Sequence, residues 1–571
     1  MERGFISTLV CSAAFAIAAS FPLPSQTLLG QAPAADLPEL ETGDATDQPV
    51  AVISVSGVNA VGDAMIFLAD AAGQPAAGGM FAAMANGFTR GIDPDRPMGM
   101  VVKMVEGAPS PLLFVPSSDI SKFLKTMEGR IGPAEKLEED PNTMVIAAGP
   151  SLLYIKQAGD WAFASQGRDA LKDLPEDPLT LLGDMPKTYD IAVRVNVQQV
   201  PAQQREMLIA ALKQGFEAGM ARQIAGQGSD VEEGRRVAES TLKQLEAEIQ
   251  FTDSLLFGFS VDTERARMFV DIASTATEGS DTAEIYSNTI PLPSKFASVI
   301  DPNAAAYYHA SQSVSPKAVE RMRSSLEQSM QVLRGQIANE ENLSGPQKDE
   351  VIKVVRRIAD LGIATIEEGK VDMGLKIDLE SGRLKMQGGA FVADGTKIAD
   401  MLKELAAQLQ NDPQAPKFSF DESEYKEVTL HSIVANISDD KAQEVLGDEL
   451  VVKLGTASDA VYFAVGADAE ASLKALIDSA PSDEAGTKRP LGQFYMALAP
   501  FIRMVDRIDS NDVVTAMLQA ATNSEETDRV LLITNPIERG QAMRLIIGEG
   551  ILRAAGAAAV AAQQQQAPAG F

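Results

Sequence analysis

The chain has 571 residues, 45% of them hydrophobic, and a formal net charge of −30. That length predicts two or more packed domains. The acidity repels nucleic-acid phosphates and anionic lipid headgroups, which excludes DNA, RNA and simple electrostatic membrane docking as partners.

Taken in chain order, the first feature is an export signal. Arg3 supplies a weak positive charge, offset by Glu2, and Phe5–Ala19 is an apolar run. The run suits a signal peptide over residues 1–19 and is short for a membrane span. Ala16-Ile17-Ala18 offers a small-residue cleavage pattern, and Ala32-Pro33-Ala34 offers another as late as residue 34. An uncleaved anchor is the alternative. With the signal removed, no transmembrane span is expected, and the predicted location is periplasmic or extracellular. Cys11, the sole cysteine, lies inside this segment. The mature chain is then without disulfides, thiol nucleophile or thiolate metal site.

Residues 20–49 are rich in Pro, Ala, Asp and Glu and read as a flexible linker. Val50–Val55 is a strand. Val58–Phe88, rich in Ala, Gly and Met, reads as one or two helices broken near Gly78-Gly79. There Met80, Phe81, Met84 and Phe88 form a stripe that offers contacts to an apolar ligand, with plain core packing as the alternative.

Met98–Met104 and Leu112–Val115 predict a hairpin. Ser117, Ser118 and Asp119 are capping residues for a helix whose face carries Ile120, Phe123, Leu124 and Met127. The same plan is clearest at Val371–Leu409. Val371, Met373, Leu375, Ile377 and Leu379 alternate with polar residues, Ser381-Gly382 turns the chain, and Leu384 and Met386 resume the alternation. Asp394 or Thr396 then caps a helix with Ile398, Met401, Leu402, Leu405 and Leu409 on one face. It recurs at Leu152–Ser165 with a helix through Leu171, and at Leu450–Ile477.

A longer module of strand, two helices and hairpin also repeats. It runs from Tyr189 through helices opened by Pro201 and Val231 to the hairpin 255–272. It runs again from Ala304 through helices opened by Pro316 and Pro346 to the hairpin at Val371. A shortened copy starts at Phe494. The predicted fold is α+β, with tandem related lobes at 50–292 and 293–562 built from repeated antiparallel β-hairpin plus amphipathic helix modules. Pro291 and Pro293 mark the join, and 563–571 reads as a disordered tail.

Chemistry is sparse. His309 and His431 are the only histidines, and each reads as a structural strand residue. No nucleophile elbow or phosphate-binding glycine loop occurs, and Gly226-Gln227-Gly228 reads as a helix stop. The acidic run Glu135–Asp140 lacks calcium-loop spacing. Lys353, Arg356 and Arg357 read as a wet helix face, and Trp161 as a packed strand residue. No catalytic residue, metal site or cofactor is expected.

Three segments, GIDPDRPMGMVV (91–102), FVPSSDISKFLKTM (114–127) and KTYDIAVRVNVQQVP (187–201), resemble stretches of uncharacterised exported proteins of planctomycete-type bacteria. The resemblance implies export and a shared α+β fold, and carries no activity. The leading functional expectation is an exported, non-catalytic envelope protein that binds a partner, an unknown envelope protein, through a surface or interlobe cleft. The alternatives are a carrier of an apolar ligand such as lipid, and a hydrolase whose residues converge from distant positions.

Overall fold

The computed structural model describes residues 48–148, 151–207, 210, 249–339, 345–379, 383–409, 415–479, 489–522 and 527–566. The signal segment, most of the linker, most of the two helices expected between 201 and 249, the Gly226-Gln227-Gly228 stop and the Ser381-Gly382 turn lie outside them. The fold is α+β, with antiparallel sheets. Chain contacts divide it into a first lobe, described over 48–283 and 537–566, and a second lobe, Glu284–Pro536.

The first lobe opens with β1 (Ala51–Val55), α1 (Val58–Ala71) and α2 (Pro75–Phe88). The helical break falls at Gly73, before Pro75, and not at Gly78-Gly79 as expected. Gly73 has φ +69°, a left-handed backbone that glycine adopts cheaply, and Pro75 suits a first helical turn. Gly78 instead lets two helices approach, because a Cβ there would sit 3.1 Å from the Ala69 Cβ.

Next come β2 (Met98–Val105), β3 (Ala108–Pro116), α3 (Ile120–Ile131), β4 (Glu135–Lys136), β5 (Thr143–Ala148), β6 (Ser151–Ala158) and β7 (Trp161–Ser165). Asp119 caps α3 by accepting from the Ser121 N–H. The helix expected after β7 is a single 3-10 turn, Arg168–Leu171. The lobe continues with β8 (Ile191–Asn196), β9 (Thr252–Asp262), β10 (Arg267–Ala276) and α4 (Asp281–Ser287).

The second lobe contains β11 (Ala306–Ser313), α5 (Pro316–Asn339), α6 (Gly345–Glu367), β12 (Lys370–Asp378), β13 (Lys385–Phe391) and α7 (Thr396–Leu409). Asp394 caps α7 through the Thr396 N–H and hydroxyl, at 3.1 and 2.6 Å. Then follow β14 (Lys417–Tyr425), β15 (Val428–Asn436), α8 (Asp440–Leu446), β16 (Glu449–Thr456), β17 (Ala460–Val465), α9 (Ala469–Asp478), β18 (Gly492–Ala497), α10 (Leu498–Ile508), α11 (Asp512–Thr522) and β19 (Arg529–Ile537). The chain then returns to the first lobe as β20 (Gly540–Gly548) and α12 (Glu549–Gln566), so the helix runs into the stretch expected to be a disordered tail.

Strand order in the first lobe is β4-β5-β6-β7-β3-β2-β1-β8-β9-β10-β20. In the second it is β14-β15-β16-β17-β13-β12-β11-β18-β19. From β4 to β9 and from β14 to β19 the order is the same. Each lobe has a core on one sheet face. In the first it gathers Phe114, Trp161, Phe163, Leu182 and Tyr189. In the second it gathers Phe296, Tyr462, Leu473 and Leu476.

β20 is tied to β10 by a buried ion pair. Arg544 donates to both carboxylate oxygens of Asp271, at 2.7 and 2.6 Å, and the Tyr189 hydroxyl donates to the same carboxylate at 2.7 Å. Such a forked pair survives burial because both charges are hydrogen-bonded.

Candidate functional site

Side chains alternate along a strand, so directly paired residues on neighbouring strands share a face. On the face of the first lobe's sheet opposite its main core, one row runs Leu113–Met100–Ile53–Val193–Phe257–Ile272 and on to Met543. The rows on either side carry Val102, Ala51, Val195 and Leu255, and Met98, Val55, Ile191, Phe259, Val270 and Leu545. Only Ser274 and Gln541, at one corner, are polar. No residue of these rows is charged.

Every core-facing neighbour along β1 and β20 is buried, while the residues of this face are not. Leu255, Phe257, Ile272 and Leu113 are 42, 46, 43 and 40% exposed. Seven strands and three rows make a patch roughly 30 by 14 Å. Its open side chains are Leu255, Phe257, Ile272 and Leu113, and the other residues named in the rows are half-buried. Helix α1 lies against β9, yet Leu255 and Phe257 of that strand stay open. Helix α3 covers the neighbouring strands, with Ile120 and Leu124 on Ile146, Ile155 and Ala162.

The matching row of the second lobe is Gly388–Leu375–Tyr308–Phe494–Leu532. It is closed. Leu532, at the position matching Phe257, is 4% exposed. Leu361 of α6 and Ile398, Met401 and Leu402 of α7 pack with Val461 on that same face.

The expected ligand stripe lies on α2, which packs against α1. Met80 and Met84 project from α2 and are 68 and 54% exposed, and Phe81 is half-buried. The Phe88 side chain lies outside the described residues. The structure therefore does not bring Met80 and Met84 into an enclosed pocket, and each faces solvent.

The histidines are closed off. His309, 7% exposed, lies 2.9 Å from the Ser294 hydroxyl, which donates to Asp372 at 2.5 Å and accepts from the Phe296 N–H. Ser294 thus gives its proton to a carboxylate, and His309 acts as a donor to Ser294 rather than as its base. Burial, with the nearby Arg489 charge, holds His309 down to about 4, while burial pushes the Asp372 carboxyl up. His431, 1% exposed, accepts the Asp421 N–H at Nδ1 and meets the Thr456 hydroxyl at Nε2. It braces a register shift in β14 where Asp421 has φ +53°. Neither imidazole reaches solvent to exchange a proton with a substrate.

Among the described residues no three His, Cys, Asp or Glu groups gather to hold a metal ion. In the acidic run, Glu139 pairs with Arg168 and Asp140 with Lys156. Arg357 pairs with Glu404. Trp161 is buried edge-on to Phe114, with Arg96 over its ring. No described helix is long and apolar enough to cross a membrane.

No protein family, no curated protein sequence and no solved structure matches this chain. The open face in the first lobe is therefore weighed on its own chemistry. Its signal in the sequence is the alternation Ile191, Val193, Val195 in β8 and Leu255, Phe257, Phe259, Val261 in β9, which puts the apolar residues on this face.

Proposed function

We propose that this is an exported, non-catalytic binding protein of the cell envelope, and that it binds through the open apolar face of the first lobe's sheet. The observation that carries the reading is the exposure of Leu255, Phe257 and Ile272 in mid-strand, where the matching Leu532 is buried. Leaving such side chains in water costs stability, roughly 25 cal/mol per Å² of apolar surface, unless a partner covers them. Export is supported by the apolar run Phe5–Ala19. A hydrolase reading loses support because both histidines are inaccessible.

The test is a photo-crosslinking residue placed at position 257 in the native host, with Glu264, on the turn that ends β9, as the control position. An ultraviolet-dependent adduct at 257 and none at 264 is expected. Equal adducts, or none at 257, would overturn the proposal.

A further inference from the structure

We infer that Met80 and Met84 of α2 form a surface site for a soft monovalent metal ion of the copper(I) class. The inference stands apart from the open sheet face and concerns a different ligand. The two side chains are 68 and 54% exposed. They sit at i and i+4 of one helix, so their Cβ atoms are neighbours about 5–6 Å apart. A methionine side chain turns about three bonds, so two sulfurs at that spacing can close on one ion. Ala76, Ala77 and Ala83, which flank Met80 at helical spacing, are small and exposed, so they leave its sulfur uncovered.

The donor set decides the metal. Thioether sulfur is soft and selects copper(I), whereas carboxylate and carbonyl oxygens suit magnesium and calcium. No carboxylate competes on α2, because Pro75–Phe88 carries no charged residue. The stronger soft donors of the chain are out of reach. His309 and His431 are 7 and 1% exposed, and the sole cysteine, Cys11, lies in the apolar run of the export signal. Among the described residues Met207 is the other strongly exposed methionine, at 57%, and the positions one helical turn from it are Gln and Ala. A second thioether on the same helix binds intramolecularly, at an effective concentration on the order of millimolar. That advantage belongs to the pair and not to Met207. The net charge of −30 draws cations toward the chain.

The experiment titrates silver nitrate, a redox-inert stand-in for copper(I), into the full chain carrying Cys11→Ser, by calorimetry in chloride-free buffer. One saturable equivalent is expected, and the ε-methyl NMR resonances of Met80 and Met84 should move together. Copper(I) held under dithionite should shift the same two resonances. Met80→Leu and Met84→Leu should each weaken the first equivalent at least tenfold, and Met207→Leu should leave it unchanged. Leucine matches methionine in volume and helix propensity, so thermal melts should not change. A thioether takes up no proton in this range, so the affinity at about pH 5.5 should stay within about threefold of that at pH 7, where an imidazole site would weaken through its ordinary pKa of about 6.5. Absence of a saturable equivalent, a first equivalent that survives both α2 substitutions, or one that Met207→Leu abolishes would overturn the inference. So would a tenfold loss at the lower pH, or silver binding with no copper(I) shift.

Discussion

Phe257 of β9 and Leu532 of β19 hold the same place in two sheets of the same strand order, and one is 46% exposed while the other is 4% exposed. The strands beneath them do not differ in kind. Both lobes share one element of cover: α3 in the first brings Ile120 and Leu124 onto the outer strands, and α7 in the second brings Ile398, Met401 and Leu402 onto theirs. In the first lobe, beyond the strands under α3, the sheet keeps an apolar face with solvent contact.

A charge at each of these two positions separates them. Leu532→Asp buries an unpaired carboxylate and should cost more than about 4 kcal/mol. Phe257→Asp should cost less than about 1 kcal/mol, because its side chain already meets water. Urea unfolding followed by circular dichroism checks both. Equal losses would show that Phe257 is core.

The Arg544–Asp271 pair should behave as a buried ion pair. Arg544→Ala leaves Asp271 and the Tyr189 hydroxyl without their cation, at a cost of about 3–5 kcal/mol. The double change Asp271→Leu/Arg544→Met should cost markedly less than Arg544→Ala alone. Denaturant midpoints of the wild type, Asp271→Leu, Arg544→Met and the double variant complete the cycle. Additive losses would mean that the two groups act independently.

Stability should depend on pH through His309. Its folded pKa is lowered to about 4 from an ordinary 6.5. Between those values the unfolded chain binds a proton that the folded chain refuses, so stability falls as pH drops from 6.5 toward 4. The His309 share is about 3 kcal/mol across that window. Asp372, raised by burial, acts in the opposite sense above its ordinary 3.8, so the net slope is smaller. His309→Gln keeps a donor for Ser294 and removes the titration. Its unfolding free energy between pH 4.5 and 7 should be flatter than that of the wild type, and parallel curves would contradict this.

Two glycines should respond in opposite directions. A Cβ at Gly258 would lie 2.3 Å from the Tyr189 ring, so Gly258→Ala displaces the ring that holds Asp271 and should cost about 1–3 kcal/mol. In α1, a Cβ at Gly62 meets nothing within 4 Å. Gly62→Ala should stabilise by about 0.5–1 kcal/mol through helix propensity. Thermal melts give both signs.

The hairpins and helices were legible because alternation and the cap at Asp394 are local signals. Less legible were β5, whose short run Thr143–Ala148 gives little periodicity, and β14, whose register shift breaks alternation between Ser419 and Ser423. The return of β20 to pair with β10 depends on contacts more than 260 residues apart in sequence, such as Asp271 with Arg544, and no local pattern encodes it. The open face escaped notice for a related reason. The alternation Leu255, Phe257, Phe259, Val261 predicts that this side of β9 is the buried one, and exposure emerges only from which helices arrive above it. Met80 and Met84 illustrate the converse, because their helical spacing suggested an inward face and they project outward.

The most direct test of the account is thiol accessibility. Cys11 is the only native cysteine, so a Cys11→Ser background makes single additions unambiguous. Phe257→Cys and Leu532→Cys are each labelled with a maleimide under native conditions. The account predicts labelling at 257 within about tenfold of a free thiol, and labelling at 532 at least a hundredfold slower. Slow labelling at both positions would contradict it, since the face would then be closed core in both lobes.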